Sequence, residues 1–473
     1  MTFTKVISRY LLFFAAFVFL PITLRAQMVP FPKTPLPDSV VKLHTQRDTV
    51  QRIKHPKRAV IFFLVDEFTP FLYDRYVANK DYAKISFKTV GHNLNPGSWE
   101  WDNDPFQTNQ FGHPYHGSYF FSSFRANGYS FWQSVPAAFA GSYLWETFAE
   151  NQAPAPNDFI NTSFGGIVLG ETTYRLSNKI IDNRARGFKR QMDEVLAFLI
   201  NPMNGLTRIM DGKWGKYSAN PAQKDSTKIR AQFQAGYRAF NVNQNNPFVG
   251  GSGGWYVHGQ LIYGTPDEGY SKPFTNIAVN IEVGKDDSTA LNIVSMYGSL
   301  TGWDLHVGHK SQQLLILSAN YDYLHNAAFF YGGQSVKFNL FSRYKIDDGL
   351  IINTALGAGA IILSAVPDPY IYKGRNYDYG PGFSFNGGGT ITVDNKLFFS
   401  ANYRGAKTFT INGNDSHYFL HNVSSELSYM FIKNLELCGE VGYIRLQGNY
   451  KKYPDVDRSY PYLKSSLRYT MNF

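Results

Sequence analysis

One cysteine, Cys438, stands in 473 residues, so no internal disulfide staples the chain and the thiol reads as an incidental buried group. Charged residues make up only 17% of the chain, and the net +10 is spread thinly, with no Lys/Arg block beside stacking aromatics. That distribution leaves no footprint for nucleic acid. After Ala26 no apolar run approaches the roughly 20 residues that a spanning helix needs. The mean hydropathy, −0.28, likewise argues against a helical membrane protein. There is no nucleotide-binding loop, no His-Glu-x-x-His helix and no Gly-x-Ser-x-Gly elbow around Ser118, Ser122 or Ser123, and no cofactor is expected. Aromatic side chains, by contrast, are in excess. The 32 Tyr and 39 Phe are many for a soluble enzyme and suit the interfacial girdles of a barrel.

Met1 to Ala26 has the form of a secretory signal peptide. Lys5 and Arg9 precede an apolar stretch from Tyr10 to Leu20, and Ala26 offers a small residue at the cleavage point. Residues 27–80 then read as a periplasmic lead-in. Pro30, Pro32, Pro35 and Pro37 keep its first part extended, and Val60 to Val77 suggests a short amphipathic helix.

From Arg230 to the end the chain alternates. Leu467, Tyr469, Met471 and Phe473 share one face of a strand, while Ser466, Arg468, Thr470 and Asn472 share the other. About twelve such segments follow one another, separated by turn signals such as Asp347-Asp348-Gly349, Asp394-Asn395 and Lys433-Asn434. Most exceed the roughly 9–11 residues that cross a bilayer at a tilt. A soluble sandwich shows the same alternation. Strand length, aromatic ends, an export signal and the terminal Phe473 together favour a transmembrane β-barrel, antiparallel and of about 12 strands, spanning 216–473. The expected location is the bacterial outer membrane, with outer-membrane lipids as surroundings. The last strand, ending at Phe473, is the expected handle for the barrel-assembly machinery.

Residues 81–215 break this rhythm. Tyr82 to Gly91 alternates as one strand. Helices are expected from Pro114 to Asn127-Gly128, from a Ser134 cap to Glu150, from Asn157 or Asp158 to Arg175, and from Arg186 to Ile200. These helices need a surface on which to bury their aromatic faces. The expectation is a plug, packed in the lumen or at the periplasmic mouth.

Ionisable residues concentrate in this insert. His113 and His116 are three apart and, with Glu146 or Glu171, would suit a metal, but Pro114 lies between them at a helix start, and hydrogen bonding is the commoner role. No metal site is expected. A nucleophile–base arrangement would use Ser118 (or Ser122 or Ser123) with His113 or His116, oriented by Asn109, Asp102 or Asp104. Glu146 and Glu150 lie one helical turn apart, as do Glu171 and Arg175. The simplest role for these groups, with Asp158 and Arg125, is a polar network joining helices to one another or to lumen arginines such as Arg230, Arg238 and Arg343. Gly165, Gly166 and Gly170 suit close helix packing.

Four motifs stand out between Trp101 and Gly212: Trp-Asp-x-Asp, His-Pro-x-x-Gly, Trp-Glu-x-x-x-Glu and Gly-Glu-x-x-x-Arg. In these the chain resembles an uncharacterised outer-membrane family of the Bacteroidetes type, classed as a domain of unknown function. The resemblance implies a Gram-negative outer membrane and no particular activity. Two functions follow as expectations: a plugged barrel with an envelope-related binding or transport role, or an outer-membrane lipid or lipopolysaccharide hydrolase built on His113, His116 and Ser118.

Overall fold

The computed structural model describes residues 53–218, 228–241, 252–264, 272–285, 290–305, 311–326 and 330–472. The signal segment, residues 27–52 of the lead-in and Phe473 lie outside them. Helices come first in the chain: α1 (Pro56–Leu72), α2 (Phe87–Asn93), α3 (His113–Arg125), α4 (Phe131–Phe148), α5 (Pro156–Ile160), α6 (Gly166–Ile180), α7 (Gly187–Ile200) and α8 (Pro202–Met210). Wider π turns extend α1 through Tyr73–Val77, precede α3 at Thr108–Gly112 and join α5 to α6 at Asn161–Gly165.

Local chemistry moves some boundaries from those expected. Tyr82 to Gly91 is not a strand. Ser86 accepts from the Thr89 amide while the Thr89 side chain accepts from the Ser86 amide, and this reciprocal box starts α2. Another box, Ser130 with Gln133, starts α4 one turn before the expected Ser134, leaving Pro136 inside the helix. Asn201 caps α8, an additional helix, by accepting from the Asn204 amide at 2.9 Å.

Twelve strands then close on themselves: β1 (Ile229–Phe240), β2 (Ser252–Tyr263), β3 (Ile277–Gly284), β4 (Leu291–Leu305), β5 (Ser311–His325), β6 (Phe330–Lys345), β7 (Leu350–Tyr372), β8 (Arg375–Val393), β9 (Leu397–Phe409), β10 (Ser416–Ile432), β11 (Leu435–Tyr450) and β12 (Val456–Asn472). Each pairs antiparallel with its sequence neighbours, and β1 pairs with β12, so the sheet has no edge. The tight turns carry the residues their geometry demands. Asp394 and Asn395, the central residues of the turn closed by the Lys396 amide donating to the Val393 carbonyl, both have positive φ, 49° and 53°.

The register identifies the inner face. Thr470, Gln232, Gln260, Asn280, Ser295 and Asp322 lie directly opposite one another from β12 to β5 and share a face. On that same phase Lys464 of β12 reaches Glu282 of β3 at 3.0 Å, past the two strands between them. Only side chains pointing into the lumen can do this. The opposite phase leaves Phe233, Tyr237, Leu437, Val441, Leu467 and Tyr469 exposed.

The helices pack on that outward phase. Tyr321, Tyr323, Tyr377 and Tyr379 point away from the lumen yet are no more than 1% exposed. They form one apolar cluster with Phe106, Phe121, Phe131, Ile167, Val168 and Leu169 of the helical region. The Tyr321 hydroxyl donates to the Gln110 carbonyl (2.5 Å) and the Tyr377 hydroxyl to the Asp104 carbonyl (2.6 Å). The contact runs obliquely across the wall. It begins where Phe131 meets Phe274 before β3 (ring centroids 5.4 Å apart) and ends where Asn103 donates to the Lys373 carbonyl at the β7–β8 turn. The insert is therefore a layer on the outer wall. It is not the expected plug, because its contacts are with outward-facing side chains of the wall such as Tyr321 and Tyr377.

Candidate functional site: an ion-paired lumen and a polar helical layer

Within the lumen, charge is paired across strands. Arg238 of β1 pairs with Glu282 and donates to Asn292 Oδ1 at 2.7 Å. Arg468 of β12 pairs with Glu426 of β10 and lies 3.2 Å from Glu436 of β11. The Tyr462 hydroxyl donates to Glu440 at 2.9 Å. Such groups tolerate burial only when charge and hydrogen bonds are both satisfied. Beside them is a cavity of about 290 Å³, also lined by His258, Arg404 and Asn422. Toward the end where β1 terminates, Phe240, Tyr331, Tyr418, Leu446, Tyr460 and Tyr462 meet as an apolar cluster. Toward the opposite end Tyr297, Leu314, Ile316 and Phe341 form another. These rings and aliphatic groups bracket the cavity.

The insert carries its own polar network. Asp102 accepts from Asn109 (2.9 Å) and Asn157 (2.5 Å), and its carbonyl accepts from Arg375 at the start of β8 (2.8 Å). Asn157 also donates to Asp158 (2.8 Å), whose other contact is His113 Nε2 at 3.3 Å. Glu146 accepts from the Ala155 amide (3.0 Å), and Glu150 from the Trp145 indole (2.7 Å). Burial raises Glu146 and Asp158 well above the usual carboxylate range and lowers His113 to about 4. Asp104 contributes its backbone carbonyl to Tyr377 and stays exposed.

Glu171 is held in a different way. Arg125 grips it through two nitrogens (2.6 and 3.1 Å) and Arg175 through a third (2.8 Å). Although burial opposes it, the two guanidiniums hold its carboxyl below the usual range. Arg175 also donates to the Pro273 carbonyl (2.7 Å), tying the triad to the barrel. These pairs stay inside the layer. The expected partner Arg238 is engaged with Glu282 in the lumen instead.

The structure does not bring Ser118 to either histidine. Ser118 donates to the Tyr115 carbonyl of its own helix (2.6 Å), while His116 Nε2 lies 3.3 Å from the Asp66 carbonyl. Ser123 instead bonds to Asp66. Among the described residues no group of three His, Cys, Asp or Glu is placed to hold a metal. The sequence offers Asn157 as a helix cap, which it is not; an amide bridging two carboxylates has no spacing signature. The same holds for Arg375, Tyr377 and Tyr379, which sit more than two hundred residues from their partners.

Residues 98–203 match the family model for a domain of unknown function, DUF3943. The match covers the layer from the Trp-Asp-x-Asp motif through α7 and leaves the strands outside it. No curated protein matches the chain. Solved structures similar to it include the KdgM porin in complex with disordered oligogalacturonate, at 13% identity and a TM-score of 0.25 over 50% of this chain and 98% of the other. The NanC porin matches at 10% identity and a TM-score of 0.27, over 51% and 98%. The Pseudomonas putida toluene transporter TodX matches at 7% and 0.23, over 52% and 89%.

Proposed function

We propose that this protein is an occluded outer-membrane barrel whose lumen cavity binds a small polar solute of the envelope, passing it only when the tyrosine-rich seal moves. The observation that carries this reading is the cavity itself, lined by Glu282, Glu426, Lys464 and Arg468 and bracketed by apolar clusters. Its volume of about 290 Å³ is near the lower end of small-molecule sites. A diffusion pore would leave a water-filled lumen; here Tyr418, Tyr460 and Tyr462 are each 5% exposed or less. The exposed apolar belt of outward residues and the absence of any sheet edge support residence in a bilayer.

Single-channel recording of the reconstituted protein tests the proposal. Wild type is expected to show no steady conductance, and the Tyr418→Ala/Tyr462→Ala double variant to pass ions. Steady conductance from wild type would sink the occluded reading, as would a double variant that is folded and still closed.

A further inference from the structure

Two helices of the layer turn hydrocarbon outward while burying charge. A helix on a soluble protein buries its apolar stripe and exposes its charges. On α7, Phe188, Met192, Val195, Leu196 and Leu199 are exposed, from 38% to 81%. On the same helix Arg190 and Glu194 are at most 1% exposed, paired at 2.6 Å, and Arg208 of α8 holds the other Glu194 oxygen at 2.7 Å. The helix α1 is apolar on both sides, with Ala59, Phe62 and Phe63 buried. Val60, Ile61, Leu64, Val65, Phe68 and Leu72 are exposed, while Asp66 and Glu67 are buried against the layer. Two separate helices that hide charge and show hydrocarbon are not scattered surface residues.

We infer that the outward faces of α1 and α7 are covered by the acyl chains of the bilayer, so that the helical layer is part of the membrane-embedded body of the protein. The occupant follows from position. The layer rests on strands whose uncovered outward residues (Ile281 and Val283 on β3, Phe338 on β6, Leu356 on β7) belong to the barrel's own exposed apolar belt. In this arrangement the faces of α1 and α7 would continue that belt over the region where the layer hides it. Among the described residues no helix is long and apolar enough to cross a membrane. The contact is therefore lengthwise along a helix face. Burial of the Arg190–Glu194–Arg208 group follows the same logic, since charge at hydrocarbon depth persists when it faces protein and is paired. The polar network of the layer would then be the inside of a membrane protein.

The test uses the full chain with Cys438→Ser, carrying Val65→Cys or Leu199→Cys labelled with an environment-sensitive fluorophore. The protein is reconstituted in phosphatidylethanolamine–phosphatidylglycerol vesicles. At both sites the expected result is blue-shifted emission, loss of intensity with doxyl-labelled acyl chains, and little loss with aqueous iodide. Quenching by iodide at either site, with or without doxyl quenching, would overturn the inference by placing that face in water. Protection from both quenchers would also overturn it, because the face would then be covered by protein, as in contact with a second copy.

Discussion

His116 shows how a single side chain takes its properties from its surroundings. Its ring stands edge-on to Trp145 at 4.6 Å and beside Phe120 at 4.5 Å. Burial there lowers it from 6.5 to about 4. Between those values the unfolded chain takes up a proton that the folded chain refuses, so this group makes stability fall as pH drops from about 6.5 toward 4. Asp66, raised by burial to about 7, acts with the opposite sign, so the informative quantity is a difference between two chains. In urea unfolding at pH 7 and pH 5, His116→Phe is expected to lose less stability on acidification than wild type. Equal losses would show that His116 titrates in the fold as it does in the free chain. The histidine itself was visible in the sequence; its apolar cage was not, because Trp145 lies 29 residues away and reaches it only through the crossing of α3 and α4.

At the scale of elements, the layer depends on two helices meeting backbone to backbone. A Cβ on Gly117 would overlap the Thr162 carbonyl, and one on Gly166 would overlap the backbone of Gly117. Gly170 similarly admits Phe121. The expectation that Gly166 and Gly170 allow close packing agrees with this geometry; their partner α3, and with it Gly117, needed the folded chain. Gly117→Val is expected to lower stability by about 1–3 kcal/mol or more, the range for forcing volume into a packed site. Gly91→Ala, inside α2 with nothing within 4 Å of the added carbon, is the control and is expected to leave stability unchanged or raise it by about 0.5–1 kcal/mol. Urea midpoints measure both. Comparable effects from the two would show that α3 and α6 can separate without cost. Where local expectation failed, a short-range hydrogen bond had prevailed over a weak pattern, as at Ser86 and Thr89, where alternation suggested a strand and the capping box made a helix.

At the scale of the whole molecule, the decisive feature is which side of the wall the layer occupies. Gln110 packs directly on Gly332 of β6, on the outward face. With Cys438→Ser, the pair Gln110→Cys and Gly332→Cys is expected to form a disulfide on mild oxidation, read as a reduction-sensitive mobility shift after cleavage between the two positions. Failure to cross-link in the assembled protein would count against the outer-wall arrangement. The sequence by itself determined the barrel: a period of two over long segments, which a sandwich would share, is joined here by strands long enough to cross a bilayer, aromatic strand ends and an export signal. It also marked residues 81–215 as the exception. Only the tertiary structure decided where that exception goes. Both faces of a strand carry the same period, and an outward tyrosine suits a lipid interface or a helix equally well, so periodicity cannot say which face is covered. Nor can it say what closes the lumen, because pairs such as Lys464 with Glu282 are set by strand tilt and register, across 182 residues of chain.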